Sequence, residues 1–167
     1  RNLFNRNIKV SDFKFVSRGA YKLLHAIDFF KINISQTRCA DLGCNVGGFT
    51  QVLLEKGALE VFSIDTAYGV LDWKLRNDPR VHVMERTNAL HCLPPKQLCD
   101  IVTIDLSWTL QSKALPVATK WCRSGGHIIS LIKPHYEATA SDPTRQLKNN
   151  PIKFEEAKTI AKEITKN

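Results

Sequence analysis

Three charged side chains are spaced along the chain so that they could meet and exchange protons. Asp105 ends the apolar run DIVTID, and Lys133 ends the apolar run HIISLIK. Lys22 lies in RGAYKLLHAIDFF, a segment with the apolar spacing of a helix. Aspartate and lysine side chains serve enzymes as general acids and bases. The residue types therefore suggest a site built from one carboxylate and two amines near one rim of the fold.

Lys133 is the member of this set that has to be separated from an ordinary surface lysine. A lysine at a strand end usually packs its alkyl chain on the protein and places its charge in water. Here Pro134 follows directly and fixes the direction in which the chain leaves, and the preceding HIISLI is apolar enough to be buried. Both features favour a functional Lys133.

The elements that must position these groups follow from short apolar runs that alternate with helical segments. We predict strands in RCADLG, LEVFSID, VHVMER, DIVTID and HIISLIK. We predict helices at about 18–30 after Ser17 as N-cap, in GGFTQVLLEKG, in QSKALPVATKWCRSGG with a kink or offset start around Pro116, and in IKFEEAKTIAKEI. Strands separated by helices form a parallel sheet, so the fold class is α/β. The segment HYEATASDPTRQLKNNP, residues 141–151 in particular, is interpreted as a mobile loop.

The stretch DLGCNVGGFT, residues 41–50, places three glycines in the first turn from strand to helix. Ligands of open parallel sheets bind at such turns, and glycine permits both a positive φ and a close approach to the backbone. The spacing G-x-x-x-G-G differs from the dinucleotide fingerprint, and no Lys-Ser or Lys-Thr follows, which excludes a P-loop. A purely structural turn and a ligand-binding turn therefore both stay open.

Two further polar residues follow neighbouring strands of the predicted sheet. Asp65 ends VFSID, where a carboxylate could accept both hydroxyls of a ribose; the alternative is a helix cap or a loop residue. Asn88 follows the third strand, and its amide matches the donor and acceptor of an adenine edge. Taken alone, Asn88 is more typical of a turn.

Bulk composition indicates which partners and compartments suit the chain. The net charge is +8 and the pI is about 9.4, which favours a polyanion such as nucleic acid, although a merely basic surface fits the charge equally well. Residues 1–16, RNLFNRNIKVSDFKFV, combine basic and aromatic residues as an RNA-binding arm would, or form a loosely packed terminus.

Five cysteines without a C-x-x-C pair argue against zinc and for a reduced cytosolic protein. We see neither a signal peptide nor an apolar run long enough to cross a bilayer.

Several long segments in order resemble one known family, the FtsJ-like ribose methyltransferases. They are SRGAYKL, DLGCNVGGFTQVLL, VFSIDTAYGVLDWKLRNDPRVHVMERTNA, DIVTIDLS and LIKPHYE. Within that family the chain is most similar to the TlyA (haemolysin A-like) ribosomal RNA 2′-O-methyltransferases. The resemblance implies a Rossmann-like fold with a mainly parallel twisted sheet and helices on both faces. It also implies S-adenosyl-L-methionine as cofactor, ribosomal RNA or a ribosomal subunit as partner, and a cytoplasmic location.

The resemblance also assigns roles to individual residues. The glycines of the turn and Phe49 would line the methionine part of the cofactor, Asp65 would hold the ribose and Asn88 the adenine. Lys22, Asp105 and Lys133 match three members of the family's catalytic Lys-Asp-Lys-Glu set. The full set of implied cofactor contacts is Asp41, Gly43, Gly47, Gly48, Phe49, Asp65, Asn88 and Asp105.

The chain departs from the family pattern in several places. Cys44-Asn45-Val46 stands where the family has Ala-Ser-Thr, and His135-Tyr136 follows Lys-Pro where Gln-Phe is usual. We expect a basic arm at 1–16 and a methyltransferase domain at 17–167 that is incomplete at its carboxyl end, without the last two strands and the fourth catalytic residue. The RNA-binding module that precedes the catalytic domain in TlyA proteins is not expected here. Glu137 is a possible substitute for the missing glutamate, but it falls early in the chain.

The chemistry implied is methylation of a ribose 2′-hydroxyl, a weak nucleophile that loses its proton as it attacks. A neutral lysine can accept that proton, and a second cation nearby favours the neutral amine, so Lys133 would be the base beside Lys22 with Asp105 orienting it. The sequence after the fourth strand, DLSW, lacks the Pro-Pro-aromatic pattern of base-amine methylation and the cysteine of pyrimidine methylation. A small-molecule methyltransferase would leave the basic arm unexplained. The alternative class is a catalytically impaired RNA-binding or ribosome-assembly factor that keeps the cofactor pocket.

Overall fold

Five parallel strands form a single sheet in the computed structural model, which describes residues 14–141 and 153–164. The strands are β1 (Arg38–Leu42), β2 (Glu60–Ile64), β3 (Val81–Met84), β4 (Cys99–Ile104) and β5 (Cys122–Ser130). Their order is β3-β2-β1-β4-β5, and every pairing is parallel. The direction of strand order changes between β1 and β4, which is where ligands of such sheets bind. The predicted α/β fold and all five predicted strands are confirmed.

In the described part of the chain, six helices accompany the sheet: α1 (Ala20–Phe30), α2 (Gly48–Glu55), α3 (Trp73–Arg76), α4 (Gln111–Trp121), α5 (Pro134–Ser141) and α6 (Phe154–Ile164). Alternate residues of a strand point to opposite faces, and β1 shows the consequence. Cys39 packs in one core with apolar residues of α1 and α2, whereas Ala40 packs in a second core with Trp121 of α4. Helices therefore cover both faces, as expected.

Three helix predictions were wrong in detail. α1 begins at Ala20 with Gly19 at the N-cap position and no side-chain cap, so Ser17 contributes its carbonyl oxygen, which accepts the Ala20 N–H at 3.3 Å. α4 ends at Trp121, and the segment that follows it is already strand β5. Gly126 does not end a helix: a Cβ there would lie 2.6 Å from the Asp100 carbonyl oxygen, so glycine permits β5 to approach β4.

The third error concerns α5, which replaces the start of the predicted loop. Glu137 Oε1 accepts the backbone N–H of Gln111 at 2.9 Å, so the glutamate caps the first turn of α4 and ties α5 to it. This tertiary contact has no local sequence signal. The remainder of the predicted loop, residues 142–151, lies outside the described residues.

A chain of alternating charges crosses the amino edge of the sheet, from β3 to β5. His82 Nε2 and an Arg38 guanidinium nitrogen each lie 2.6 Å from a Glu60 carboxylate oxygen. The Arg38 backbone N–H donates to Asp100 at 2.8 Å, and Arg123 Nε pairs with the other Asp100 oxygen at 2.5 Å. Each neighbouring pair of strands is thus bridged at the edge opposite the carboxyl ends, which helps to fix their register.

The arm predicted at residues 1–16 lies outside the described residues except for its end. Phe15 is buried in the core and meets Tyr21 edge to face, with ring centroids 5.2 Å apart. The Val16 N–H donates to Gln51 Oε1 at 2.8 Å. Phe15 and Val16 are therefore part of the folded domain.

All five cysteines are free thiols. Burial raises the pKa of Cys39 and of Cys99 to about 12, so both behave as small core residues. Within the described ranges, no group of three or more metal-ligating side chains occurs. None of the helices in the described part of the chain has the length and apolar character needed to span a bilayer.

Candidate active site

Two adjoining clefts open at the carboxyl ends of the central strands. The larger, of about 410 Å³, lies between the residues that follow β1, β2, β3 and β4 and the side chains of Lys22 and Lys133. The smaller, of about 240 Å³, lies between the glycine turn and the start of α1. The two clefts share Gly43, Asn45 and Asp105 as a common wall. This is the position at which the strand order predicts a ligand site.

The structure brings Lys22, Asp105 and Lys133 together at the larger cleft. Asp105 follows the last residue of β4, and Lys133 follows β5 directly before α5 begins at Pro134. Lys133 Nζ lies 2.6 Å from Asp105 Oδ1, and both side chains are largely shielded from water. Lys22 reaches the cleft from the first turn of α1.

Lys133 Nζ is held by three oxygen atoms. Besides the Asp105 carboxylate, it donates to the backbone carbonyl of Leu106 at 3.0 Å and to that of Asp105 at 3.4 Å. An ammonium has three donors, so this arrangement fixes the orientation of the side chain. Lys22 lines the same cleft.

The glycine turn serves the fold and the cleft at once. Gly43 has φ 92° and faces the main chain after β4: a Cβ would lie 2.9 Å from the Asp105 carbonyl oxygen. Gly47 has φ 99°, and a Cβ there would meet the side chains of Leu71 and Leu75. Gly43 lines both clefts, whereas Gly47 lines neither. The turn therefore has a packing role at Gly47 and a border with the clefts at Gly43, and ligand binding by the turn stays a prediction.

The remaining turn residues contribute to the smaller cleft. Gly48 and Phe49 line it together with Ser17 of the opposite wall. A Cβ on Gly48 would lie 2.2 Å from Ser17 Oγ, so glycine at this position permits α1 and α2 to approach each other. Phe49 is buried in the core, and only its edge borders the cleft.

Asp65 lines the larger cleft and also braces its walls. Its Oδ2 accepts the backbone N–H of Asn45 at 2.8 Å, and its Oδ1 accepts that of Ala67 at 2.9 Å. Asn45 has φ 48°, a conformation that the contact with Asp65 helps to hold. Each carboxylate oxygen keeps a second lone pair, so Asp65 could still accept hydroxyl groups of a ligand.

Asn88 stands beside the cleft without lining it. Its neighbours Thr87 and Ala89 form part of the wall. The Asn88 side chain is exposed, and its Oδ1 accepts the backbone N–H of Leu90 at 2.9 Å, which is a turn-forming contact. The amide nitrogen of the side chain could still reach a ligand by rotation about the terminal bonds.

Asp41 lies beneath the turn and away from both clefts. Its carboxylate is fully buried and accepts hydroxyl groups of Thr50 at 2.8 Å and Thr103 at 3.0 Å. The single Thr50 hydrogen is used in this bond, so Ser63, 2.8 Å from Thr50 Oγ1, must donate to it. Burial outweighs these hydrogen bonds and raises the pKa of Asp41 to about 6. The network joins β1, β2, β4 and α2 below the site.

Several cleft residues were missed by the sequence reasoning. Ser17 and Gly19 line the smaller cleft, and Thr66, Ala67, Thr87 and Ser107 line the larger one. Thr66, Ala67 and Ser107 follow Asp65 or Asp105 by one or two positions, so extending each strand end by that much would have found them. Ser17 was interpreted only as a helix cap, and nothing local marks it as a cleft residue.

An exposed aromatic pair stands next to the charged residues. The Trp108 ring, of which 83% is exposed, stacks on Tyr136 with centroids 4.9 Å apart. Trp108 has φ 54°, an unusual conformation for a bulky residue. Lys133 Nζ lies 5.6 Å from the Tyr136 ring centroid. The Tyr136 ring is thus in contact with Trp108 on one side and close to Lys133 on the other.

Comparison with known proteins places these residues in context. The family described as FtsJ-like methyltransferase matches residues 15–166. The Mycobacterium tuberculosis protein named 16S/23S rRNA (cytidine-2′-O)-methyltransferase TlyA is 44% identical over 130 residues, which are 76% of this chain and 48% of that protein. YqxC of Bacillus subtilis, named as a candidate rRNA methyltransferase, is 37% identical over 78% of this chain and 48% of its own length.

A solved structure shows the same architecture. A protein of Streptococcus thermophilus described as a candidate hemolysin superposes with a TM-score of 0.84 at 30% identity, covering 95% of this chain and 57% of that one. The chain spans about half the length of the curated relatives it matches.

Proposed function

Because the chain belongs to the FtsJ-like methyltransferase family, we propose that it transfers a methyl group from S-adenosyl-L-methionine to the ribose 2′-hydroxyl of an RNA, with ribosomal RNA as the substrate. The observation that carries the proposal is the meeting of Lys22, Asp105 and Lys133 at one cleft beside the glycine turn. The name of the Mycobacterium tuberculosis relative supplies the substrate class. A cytoplasmic location follows from that substrate.

The residues that line the two clefts fit an adenosyl cofactor. At the carboxyl end of β2, Asp65 has free lone pairs that could accept the hydroxyl groups of a ribose. Asn88 lies beside the end of the larger cleft at which an adenine would bind. Gly43, Gly48 and Phe49 border the smaller cleft, which has room for a short amino-acid chain. Asp105 lies on the shared wall, where its carboxylate favours a positive charge. When bound, S-adenosyl-L-methionine supplies a methyl group on a positively charged sulfur.

We assign the base to Lys133. Asp105 and the carbonyl of Leu106 hold its Nζ in one position, which is what a proton acceptor needs. Lys22 lines the same cleft and adds a second positive charge to it. Asp105 is the orienting residue. The proton of the attacking 2′-hydroxyl passes to Lys133 Nζ and is later released to water.

Trp108 and Tyr136 suit the base of the target nucleotide. An exposed indole at the mouth of a cleft offers a face on which a nucleobase can stack, and such stacking is worth roughly 1–3 kcal/mol per base. We therefore assign this pair to positioning the substrate. Loss of the stack would weaken RNA binding and leave cofactor binding intact.

The experiment is transfer of a tritiated methyl group to ribosomal subunits from cells that lack the gene. Wild-type protein should label them, and Lys133→Ala should not. If neither labels the subunits although the protein binds them and the cofactor, the function is that of an RNA-binding or assembly factor.

A further inference from the structure

Helix α1 carries a row of side chains that starts in the cleft and continues onto the open surface. Lys22 lines the cleft, and His25 and Phe29 follow it at spacings of three and seven residues. These spacings place side chains on one face of a helix. At a rise of about 1.5 Å per residue, Phe29 lies roughly 10 Å along the axis from Lys22. We refer to Lys22, His25 and Phe29 as the α1 row.

The two aromatic members of the α1 row form a flat and exposed surface. The rings of His25 and Phe29 are stacked, with centroids 6.1 Å apart and an interplanar angle of 25°. Phe29 is 69% exposed, whereas Leu23 and Ile27 of the same helix are buried in the core. Together with the stacked ring of His25, the exposed Phe29 ring forms an apolar surface of the kind that contacts a partner.

The surroundings of the row suit an anionic chain. Arg18 is exposed one turn before Lys22 on the amino side, and the protein carries a net charge of +8. The one acidic neighbour on the helix surface, Asp28, pairs with Lys56 at 3.0 Å, so its charge is compensated. Cations at one end and stacked rings at the other are what a groove for single-stranded nucleic acid combines.

We propose that the α1 row binds the single-stranded RNA that flanks the target nucleotide, with a base stacked on Phe29 and His25. This assignment rests on the proposed function and extends it from the cleft to the outer face of α1. The row is continuous with the site through Lys22, so RNA that presents a ribose to Lys133 passes over it. Phe29 is here a binding surface for RNA and takes no part in the chemistry.

The adjacent Phe30 gives a matched control. It is 66% exposed and touches Phe29 edge to face at 5.0 Å, but it points about 100° further around the helix, away from the α1 row. Phe29 and Phe30 are thus the same residue type, are similarly exposed and lie at the same end of α1. They differ in the direction in which their side chains leave the helix.

The test measures the anisotropy of a short fluorescein-labelled single-stranded RNA of mixed sequence with the 167-residue chain. Phe29→Ala should raise the Kd roughly 5- to 150-fold, and Phe29→Leu nearly as much, because leucine keeps apolar area but offers no ring face. Phe29→Trp should bind as wild type does. Phe30→Ala should stay within about twofold. The salt dependence of the Kd should be unchanged in Phe29→Ala, because no phosphate contact is lost.

Three outcomes would overturn the proposal. Full affinity in Phe29→Leu would show that stacking is absent, and equal losses in Phe29→Ala and Phe30→Ala would show that the row has no special direction. A changed sedimentation coefficient in Phe29→Ala with unchanged RNA affinity would identify a protein contact instead. The proposed function is tested separately, by the RNA affinity of the wild type and by calorimetry of S-adenosyl-L-methionine with each variant.

Discussion

Lys133 Nζ and Asp105 Oδ1 lie 2.6 Å apart because their strands are neighbours in the sheet. Ile104, directly before Asp105, is paired in register with Ser130, three residues before Lys133. The parallel pairing of β4 and β5 therefore sets the distance between the two charges. The geometry of the site depends on this strand pairing more than on the loops around it.

The first prediction concerns the role of Lys133. Lys133→Ala should abolish methyl transfer and leave cofactor affinity nearly intact, since general-base groups contribute about 10²–10⁴-fold to the rate. Lys133→Arg should fail almost as badly, because a guanidinium keeps the charge but cannot be deprotonated in a protein. Single-turnover transfer measures both. Substantial activity in the arginine variant would show that Lys133 only attracts RNA.

The second prediction concerns Asp65 and the cofactor. Asp65→Ala removes a charged acceptor and should weaken binding of S-adenosyl-L-methionine by roughly 2–4 kcal/mol, measured by calorimetry. The control is Asp72→Ala, which removes a carboxylate that caps α3 outside both clefts. Unchanged affinity in Asp65→Ala, or an equal loss in the control, would remove Asp65 from the ligand site.

The sequence was sufficient for the groups that follow strand ends. Asp105 and Lys133 could be selected because the carboxyl ends of parallel strands meet at one edge, whereas Lys22 lies on helix α1. Asp41 was selected by motif, yet it lies inside β1, where a side chain points into a face and not into the edge. Its place in a buried hydroxyl network depends on Thr50 and Thr103, whose proximity only the fold reveals.

Other features depended on contacts between distant segments. Gly125 and Gly126 have the local pattern of a helix end. In the fold they lie in β5, where Gly126 permits a close approach to the Asp100 carbonyl oxygen. Helix α5 forms in a segment with turn-like composition, and its Glu137 caps α4. The exposure of Trp108 could not be predicted, since an aromatic residue near a strand end is as typical of a core.

The third prediction is a pH effect of Asp41 on stability. Its folded pKa of about 6 lies above the ordinary value of 3.8, because burial disfavours the charged form. The folded state therefore binds the proton more tightly, so its contribution is complete below pH 3.8 and is lost as pH rises through about 6. The free energy of unfolding should fall by about 3 kcal/mol across this window.

The control for this effect is Asp41→Asn, which is neutral at every pH and can pair with the same hydroxyls. Urea unfolding of both proteins from about pH 4 to pH 7 gives the difference between their free energies of unfolding. That difference should change with pH in the sense described. Parallel curves would show that Asp41 titrates alike in the folded and unfolded states.

The fourth prediction concerns the contact of Gly43 with the main chain of Asp105. Gly43→Ala places a Cβ 2.9 Å from a carbonyl oxygen that cannot move freely, at φ 92°. Gly69→Ala is the control, because Gly69 has φ 71° and nothing within 4 Å of its Cβ position. The control should lose about 1–2 kcal/mol of stability and Gly43→Ala about 1–3 kcal/mol more, with weaker cofactor binding. Equal losses in thermal unfolding would show that backbone conformation alone matters.

The most direct test of the whole account identifies the atom that receives the methyl group. RNA treated with the protein and labelled S-adenosyl-L-methionine is digested to nucleosides, which are separated and analysed by mass spectrometry. We expect the added mass to remain with the ribose fragment as a 2′-O-methyl group. RNA treated with the Lys133→Ala protein should carry no added methyl group. A methyl group on the base fragment, or equal labelling by the Lys133→Ala protein, would contradict it.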